Sequence, residues 1–137
     1  MKYTFRIILI AWTVFMLAVS SIEELRIAPL EMTAADKVMH VIEYAIWSLL
    51  FLLMIKQESI IFKVNSALKS VLFFGITLAI LDEIHQGFIK GRECDLLDLI
   101  ADIVGILIVI LVYYFINKIR NKNYYKIRKK KYKKIRK

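Results

Sequence analysis

Cysteine is almost absent from this chain: Cys94 stands alone, which excludes an intrachain disulfide. Histidine is nearly as scarce. With only His40 and His85, no cysteine–histidine ligand spacing exists, and a zinc site would have to draw on carboxylates. The composition of a water-soluble domain is missing as well: 59% of the 137 residues are hydrophobic, with one proline and four glycines, and the mean hydropathy is +0.58. Long uncharged runs are lacking too. The stretches 7–22, 44–55, 70–81 and 103–117 are free of charge, yet none reaches the roughly 18–20 residues that cross a bilayer.

What is present resolves that shortfall. Extending each run through its polar flank gives spans at about 5–22, 38–55, 67–85 and 96–117, so charged blocks must sit in the outer turns of the helices. The sequence therefore predicts an all-α polytopic membrane protein, a bundle of four transmembrane helices within a membrane domain 1–117. Lys and Arg near span ends stay cytoplasmic. Lys2 and Arg6, the lysine-rich connection 56–69 and the basic tail 118–137 would lie inside; the acidic connections bearing Glu23, Glu24, Glu31 and Asp36, then Glu93 and Asp95, would lie outside. Both termini are thus expected to be cytoplasmic. The first segment, with Lys2, Arg6 and Ala18-Val19-Ser20, imitates a cleavable secretory signal, but its retention as a span suits the charge pattern.

The net charge of +9 resides in the tail, which holds twelve Lys or Arg and no acid, leaving the rest of the chain net negative. A basic run interleaved with Tyr124, Tyr125, Tyr132, Ile119, Ile127 and Ile135 at a cytoplasmic span end suits anionic lipid headgroups. Tethering at the bilayer makes lipid the expected partner, and no nucleic acid is expected. The same lysines would suffice merely to fix orientation.

Against this apolar background, ionisable residues crowd the predicted outer ends, where they need partners, a cavity or a task. Helical spacing puts Asp36, His40 and Glu43 or Tyr44 on one stripe of the second span, with Lys37 adjacent. On the third, Asp82, His85 and Gln86 share a face and Glu83 turns about 100° away. On the fourth, Asp95, Asp98, Asp102 and Gly105 follow at helical intervals, and Gly75 and Gly105 are sites where helices could approach closely. The simplest arrangement is a polar cavity opening outward, lined by Asp36, Lys37, His40, Glu43, Tyr44, Asp82, Glu83, Gln86, Arg92, Asp98 and Asp102.

The ordered set Asp36-Lys37-x-x-His40-x-x-Glu43-Tyr44, Asp82-Glu83-x-x-Gln86-x-Phe88, Gly91-Arg92, Asp95 and Asp98-x-x-x-Asp102-x-x-Gly105 resembles the VanZ-like family of small membrane proteins. The resemblance covers positions 36–105. Members often carry Asn where Asp102 stands, and proline commonly precedes the Gly-Arg pair where this chain has Lys90. The resemblance implies a bacterial multi-pass protein of the cell envelope, in the inner membrane, from a family named for a member linked to low-level resistance to teicoplanin, a lipoglycopeptide. It implies no reaction and no cofactor.

Four tasks compete for the polar cluster. Binding would use Arg92 and Lys37 for anionic groups and Asp82, Glu83, Asp98 and Asp102 for amines or hydroxyls of an amphiphile such as a lipid-linked cell-wall intermediate or a lipoglycopeptide. Catalysis on a lipid-linked substrate would take Glu83 or Asp82 as base and His40 as acid, with Arg92 stabilising charge, but no serine, cysteine or lipid-phosphatase signature supports it. His85 with Asp82 and Glu43 is the set that could hold a divalent cation, and no metal centre is assigned. Transport would need a continuous polar path, which the apolar inner halves deny to a single chain, so that it would require an oligomer. The fourth task is purely structural: interfacial ion pairs among Asp36, Lys37, Arg92, Asp95 and Asp98, and interhelical hydrogen bonds of His40, Tyr44 and Gln86. Binding is favoured.

Overall fold

The computed structural model describes residues 3–22, 32–58, 64–92 and 94–135. These form four helices, α1 (Thr4–Ser20), α2 (Met32–Glu58), α3 (Val64–Gln86) and α4 (Leu96–Ile135), and no strand. Three carry stretches long and apolar enough to cross a membrane: Ala34–Gln57, Val64–Gln86 and Leu96–Tyr125. α1, with 17 residues, lies at the short end of the spanning range. Helices are what such sequences must form, because hydrocarbon offers no partner to a free backbone N–H or C=O.

The polar blocks lie within the helices, as the short uncharged runs require. α2 starts before Asp36 and α3 runs through Gln86. α4 departs from expectation at its far end: instead of closing near residue 117 it continues through the basic tail to Ile135. No proline or glycine follows Gly105, and Lys and Arg are good helix formers, so nothing in the sequence stops the helix.

Hydrogen bonds define the bundle's register. α1 runs antiparallel to α2, with Trp12 Nε1 donating to the Glu43 carbonyl (3.2 Å), Trp47 Nε1 to Thr13 Oγ1 (3.0 Å), and the Phe5 N–H to Gln57 Oε1 (3.1 Å). α2 and α4 run parallel, with Lys37 paired to Asp95 and Asp98, and His40 to Asp102. The chain's first described residues and the basic extension of α4 therefore leave from the same end. The opposite end gathers the last turns of α1 and α3 and the first turns of α2 and α4.

Two glycines set the spacing. A Cβ on Gly105 would sit 2.3 Å from the Val41 carbonyl oxygen, so α2 and α4 touch backbone to backbone there. A Cβ on Gly75 would meet Ile106 Cδ1 at 2.9 Å, which brings α3 against α4. Around these contacts lies a core of Tyr44, Trp47, Leu52, Val71, Ala79 and Ile106. Phe73, Phe74, Leu96, Leu111 and Val112 point outward, as helices facing lipid require.

Candidate functional site

The connection between α3 and α4 builds one wall of the polar end. Arg92 N–H closes a turn on the Ile89 carbonyl at 3.1 Å, and Gly91 takes φ 83°, a left-handed conformation that glycine alone adopts without cost. The chain then reaches Asp95, which caps α4: its Oδ1 accepts the Leu97 N–H at 2.8 Å and its carbonyl accepts the Asp98 N–H at 3.0 Å. The same residue ties the two helices together, since its backbone N–H donates to Glu83 Oε2 at 2.9 Å. Its Oδ2 takes Lys37 Nζ at 2.6 Å. The Lys37 ammonium first, and the Leu97 N–H second, hold the Asp95 carboxyl below the usual carboxylate range.

Lys37 also donates to Asp98, so one ammonium of α2 clamps the first turn of α4. One turn deeper, His40 Nδ1 lies 2.9 Å from Asp102 Oδ1, while His40 Nε2 is 3.8 Å from Asp98 Oδ1, too far for a hydrogen bond. Tyr44 and Ser48 continue this stripe of α2 at helical intervals, both fully buried. Asp82 faces the other side of the bundle, where its Oδ1 accepts Ser20 Oγ of α1 at 2.7 Å and its Oδ2 accepts Gln86 Nε2 at 3.2 Å.

The structure thus gathers Lys37, His40, Tyr44, Asp82, Glu83, Gln86, Asp98 and Asp102 at one end of the bundle. Asp36 is exposed but lies with His40 and Asp98, ligand atoms of the three within 4.8 Å of one another. Glu43 is half-buried; its carbonyl accepts Trp12 Nε1, and its carboxylate makes no hydrogen bond or ion pair among the described residues. Arg92 is half-buried on the connection, makes no side-chain hydrogen bond or ion pair among the described residues, and its charge is felt at Glu43.

Several placements differ from the sequence reading. Asp82 and Glu83 are both buried although they point about 100° apart, because α3 packs on α1 with one face and on α4 with another. His85 stays on the α1 side with Asp82, 2.9 Å from Ser21 Oγ, but His85, Asp82 and Glu43 do not converge within metal-ligand distance. His40, Glu83 and Asp102 converge instead. Ser20 and Ser48 escaped notice; for Ser48 the signal was there, four residues beyond Tyr44 on the His40 face.

Four buried atoms have no hydrogen-bond partner among the described residues: Tyr44 Oη, Ser48 Oγ, Glu83 Oε1 and Asp102 Oδ2. Each such group costs about 1–3 kcal/mol if left bare. Beside Tyr44 lies a crevice lined by Thr13, Met16, Leu17, Leu78 and Asp82, too narrow to admit a water molecule. In chemical terms the end of the bundle offers buried carboxylates, an imidazole held by a carboxylate, and one guanidinium at its edge.

The family model described as VanZ/LLP1 matches residues 2–117, which includes all four described stretches of the bundle up to the start of the basic extension. No curated protein and no solved structure matches the chain.

Proposed function

The chain belongs to the VanZ/LLP1 family, and on that premise we propose that the polar end of its bundle binds the headgroup of an envelope amphiphile from the outer leaflet of the bacterial inner membrane. The observation that carries this reading is the set of four buried polar atoms without partners among the described residues, where Ser20, His40, Asp82 and Gln86 close by are paired. Native structures leave few such groups bare, and a bound headgroup or its water would satisfy them.

The partners divide by chemistry. Arg92, uncommitted among the described residues, meets phosphate or carboxylate by a two-pronged contact. Asp82, Glu83, Asp98 and Asp102 receive amines and hydroxyls, Tyr44 and Gln86 give further hydrogen bonds, and Asp36 and Glu43 flank the entrance. Lys37 acts chiefly by positioning α4, since Asp95 and Asp98 already occupy its ammonium. A lipid-linked cell-wall intermediate and a lipoglycopeptide both have this amphiphilic form, which would account for low-level teicoplanin resistance. The basic extension meets anionic lipid on the cytoplasmic side.

Mass spectrometry of lipids retained by the purified protein tests the reading. One amphiphile is expected with the wild type and is lost from Arg92→Ala while the protein stays monodisperse. Equal retention by the variant removes Arg92 from the site, and the absence of any specific amphiphile from the wild type overturns the proposal. Teicoplanin susceptibility of a Gram-positive host expressing wild type or Arg92→Ala at matched membrane levels then tells whether the site protects.

A further inference from the structure

We infer that His40, Glu83 and Asp102 form a site for a divalent first-row cation, with zinc and manganese the best fit. The inference rests on reading this end of the bundle as a site, but it concerns a ligand of different chemistry. One residue comes from each of α2, α3 and α4, and each offers a ligand atom within 4.8 Å of the others. All three side chains are buried, at 5%, 3% and 0% exposure, which is where a loose acidic cluster would not be found.

The spacing is that of co-ligands. Two donors each about 2.05 Å from one ion lie about 2.9 Å apart at an octahedral angle and about 3.3 Å apart at a tetrahedral one. His40 Nδ1 and Asp102 Oδ1 are separated by 2.9 Å. Glu83 is already aligned by the second oxygen of its carboxylate, which holds the Asp95 N–H, while Oε1 is buried and has no partner. An ion between His40 and Asp102 would replace their hydrogen bond with two metal bonds, and the second oxygen of Asp102, Oδ2, is buried and bare. Two carboxylates that each carry a bare buried oxygen, beside an imidazole, are a ligand set waiting for a cation.

Charge points the same way. Asp82, Glu83, Asp98 and Asp102 are buried, and among the described residues the basic groups that contact this cluster are Lys37 and His40. A divalent ion would offset the excess. The neighbouring set of Asp36, His40 and Asp98 is the weaker candidate, because Lys37 already occupies Asp98 and Asp36 is exposed. One imidazole and two carboxylates favour a borderline ion over calcium, which prefers oxygen alone, and over magnesium, which keeps most of its water. With three protein donors a coordination position remains open, toward which the unpartnered hydroxyl of Tyr44 or the oxygen of a bound headgroup could turn.

The test is elemental analysis of tag-free protein in detergent, equilibrated with zinc or, separately, manganese and freed of excess. One ion per chain is expected for the wild type. Affinity should fall more than about tenfold in Asp102→Asn and Glu83→Gln, which keep size and shape, while Cys94→Ser, which removes the exposed thiol outside the set, binds as wild type. Folding is checked by elution volume and helical circular dichroism, and His40→Gln serves as a third variant if one of the others does not fold. Wild type without metal, or metal retained by all three variants, overturns the inference. Lipids are measured on the same samples: an amphiphile bound without metal rejects the cation site and leaves the binding function intact, whereas metal bound without amphiphile does the reverse.

Discussion

Replacing Gly105 by alanine places a methyl group 2.3 Å from the Val41 carbonyl oxygen and 3.1 Å from the Ala45 nitrogen. Ordinary contact begins near 3.4 Å, so α2 and α4 must part by about 1 Å, since backbone cannot swing aside as a side chain can. Overpacking of this kind costs about 1–3 kcal/mol. The His40–Asp102 bond, one turn away on the same helix pair, would stretch from 2.9 Å past hydrogen-bonding range, for a further loss of about 0.6 kcal/mol. The other glycines serve as internal standards. At Gly75 the new methyl meets the flexible end of Ile106 at 2.9 Å, which can turn away; at exposed Gly87 its nearest neighbour is 3.4 Å off, and the change should stay within about 0.5 kcal/mol. Thermal unfolding in detergent, followed by the fluorescence of Trp12 and Trp47, should rank the alanine variants with Gly105 far below Gly75 and Gly87 nearest wild type. Equal midpoints for the Gly105 and Gly87 variants would refute the backbone contact.

Two further perturbations address the clamp between α2 and α4. Lys37→Met leaves Asp98 buried without its charge partner and should cost about 2 kcal/mol, less than a fully buried pair because Lys37 reaches solvent; adding Asp98→Asn should recover about 1 kcal/mol in a double-mutant cycle, and strict additivity would show that the two do not interact. The lowered pKa of Asp95 means that its contribution is present above the ordinary carboxylate value of about 3.9 and is lost as pH falls through the lower folded value. Melting midpoints measured from about pH 6 down to about pH 3 should therefore drop for the wild type, and less steeply for Asp95→Asn, which still caps α4; parallel curves would remove the Lys37 pairing from the account.

Much of this site could be read from spacing alone. Lys37, His40, Asp98 and Asp102 lie on the faces that helical intervals assign them, because a transmembrane helix pair leaves a polar stripe no alternative but the other stripe. The α3 residues were less legible. Periodicity sees one buried face per helix, whereas α3 has two: Glu83, about 100° from Asp82, reaches the cluster through the face toward α4, while His85 lies beside Ser21 on the α1 side, away from Glu43. Ser20 and Ser48 carry no charge and vanish among apolar neighbours. The role of Asp95 as helix cap, ion-pair partner and tie to Glu83 depends on where the α3–α4 turn ends, which local sequence does not specify.

The uninterrupted course of α4 has a mechanical consequence. From Leu96, about 22 residues suffice for the hydrocarbon, and the 18 that follow to Ile135 add roughly 27 Å of rod at 1.5 Å per residue. Screening at physiological salt reduces surface attraction over about 8 Å. A rod standing upright would offer the bilayer only its first basic turns, around Lys118, Arg120 and Lys122, and hold the rest out of reach. For the distal lysines to be gripped the rod must lean, and because it is one helix, the lean is delivered as a torque to its other end, where Asp98 and Asp102 meet Lys37 and His40.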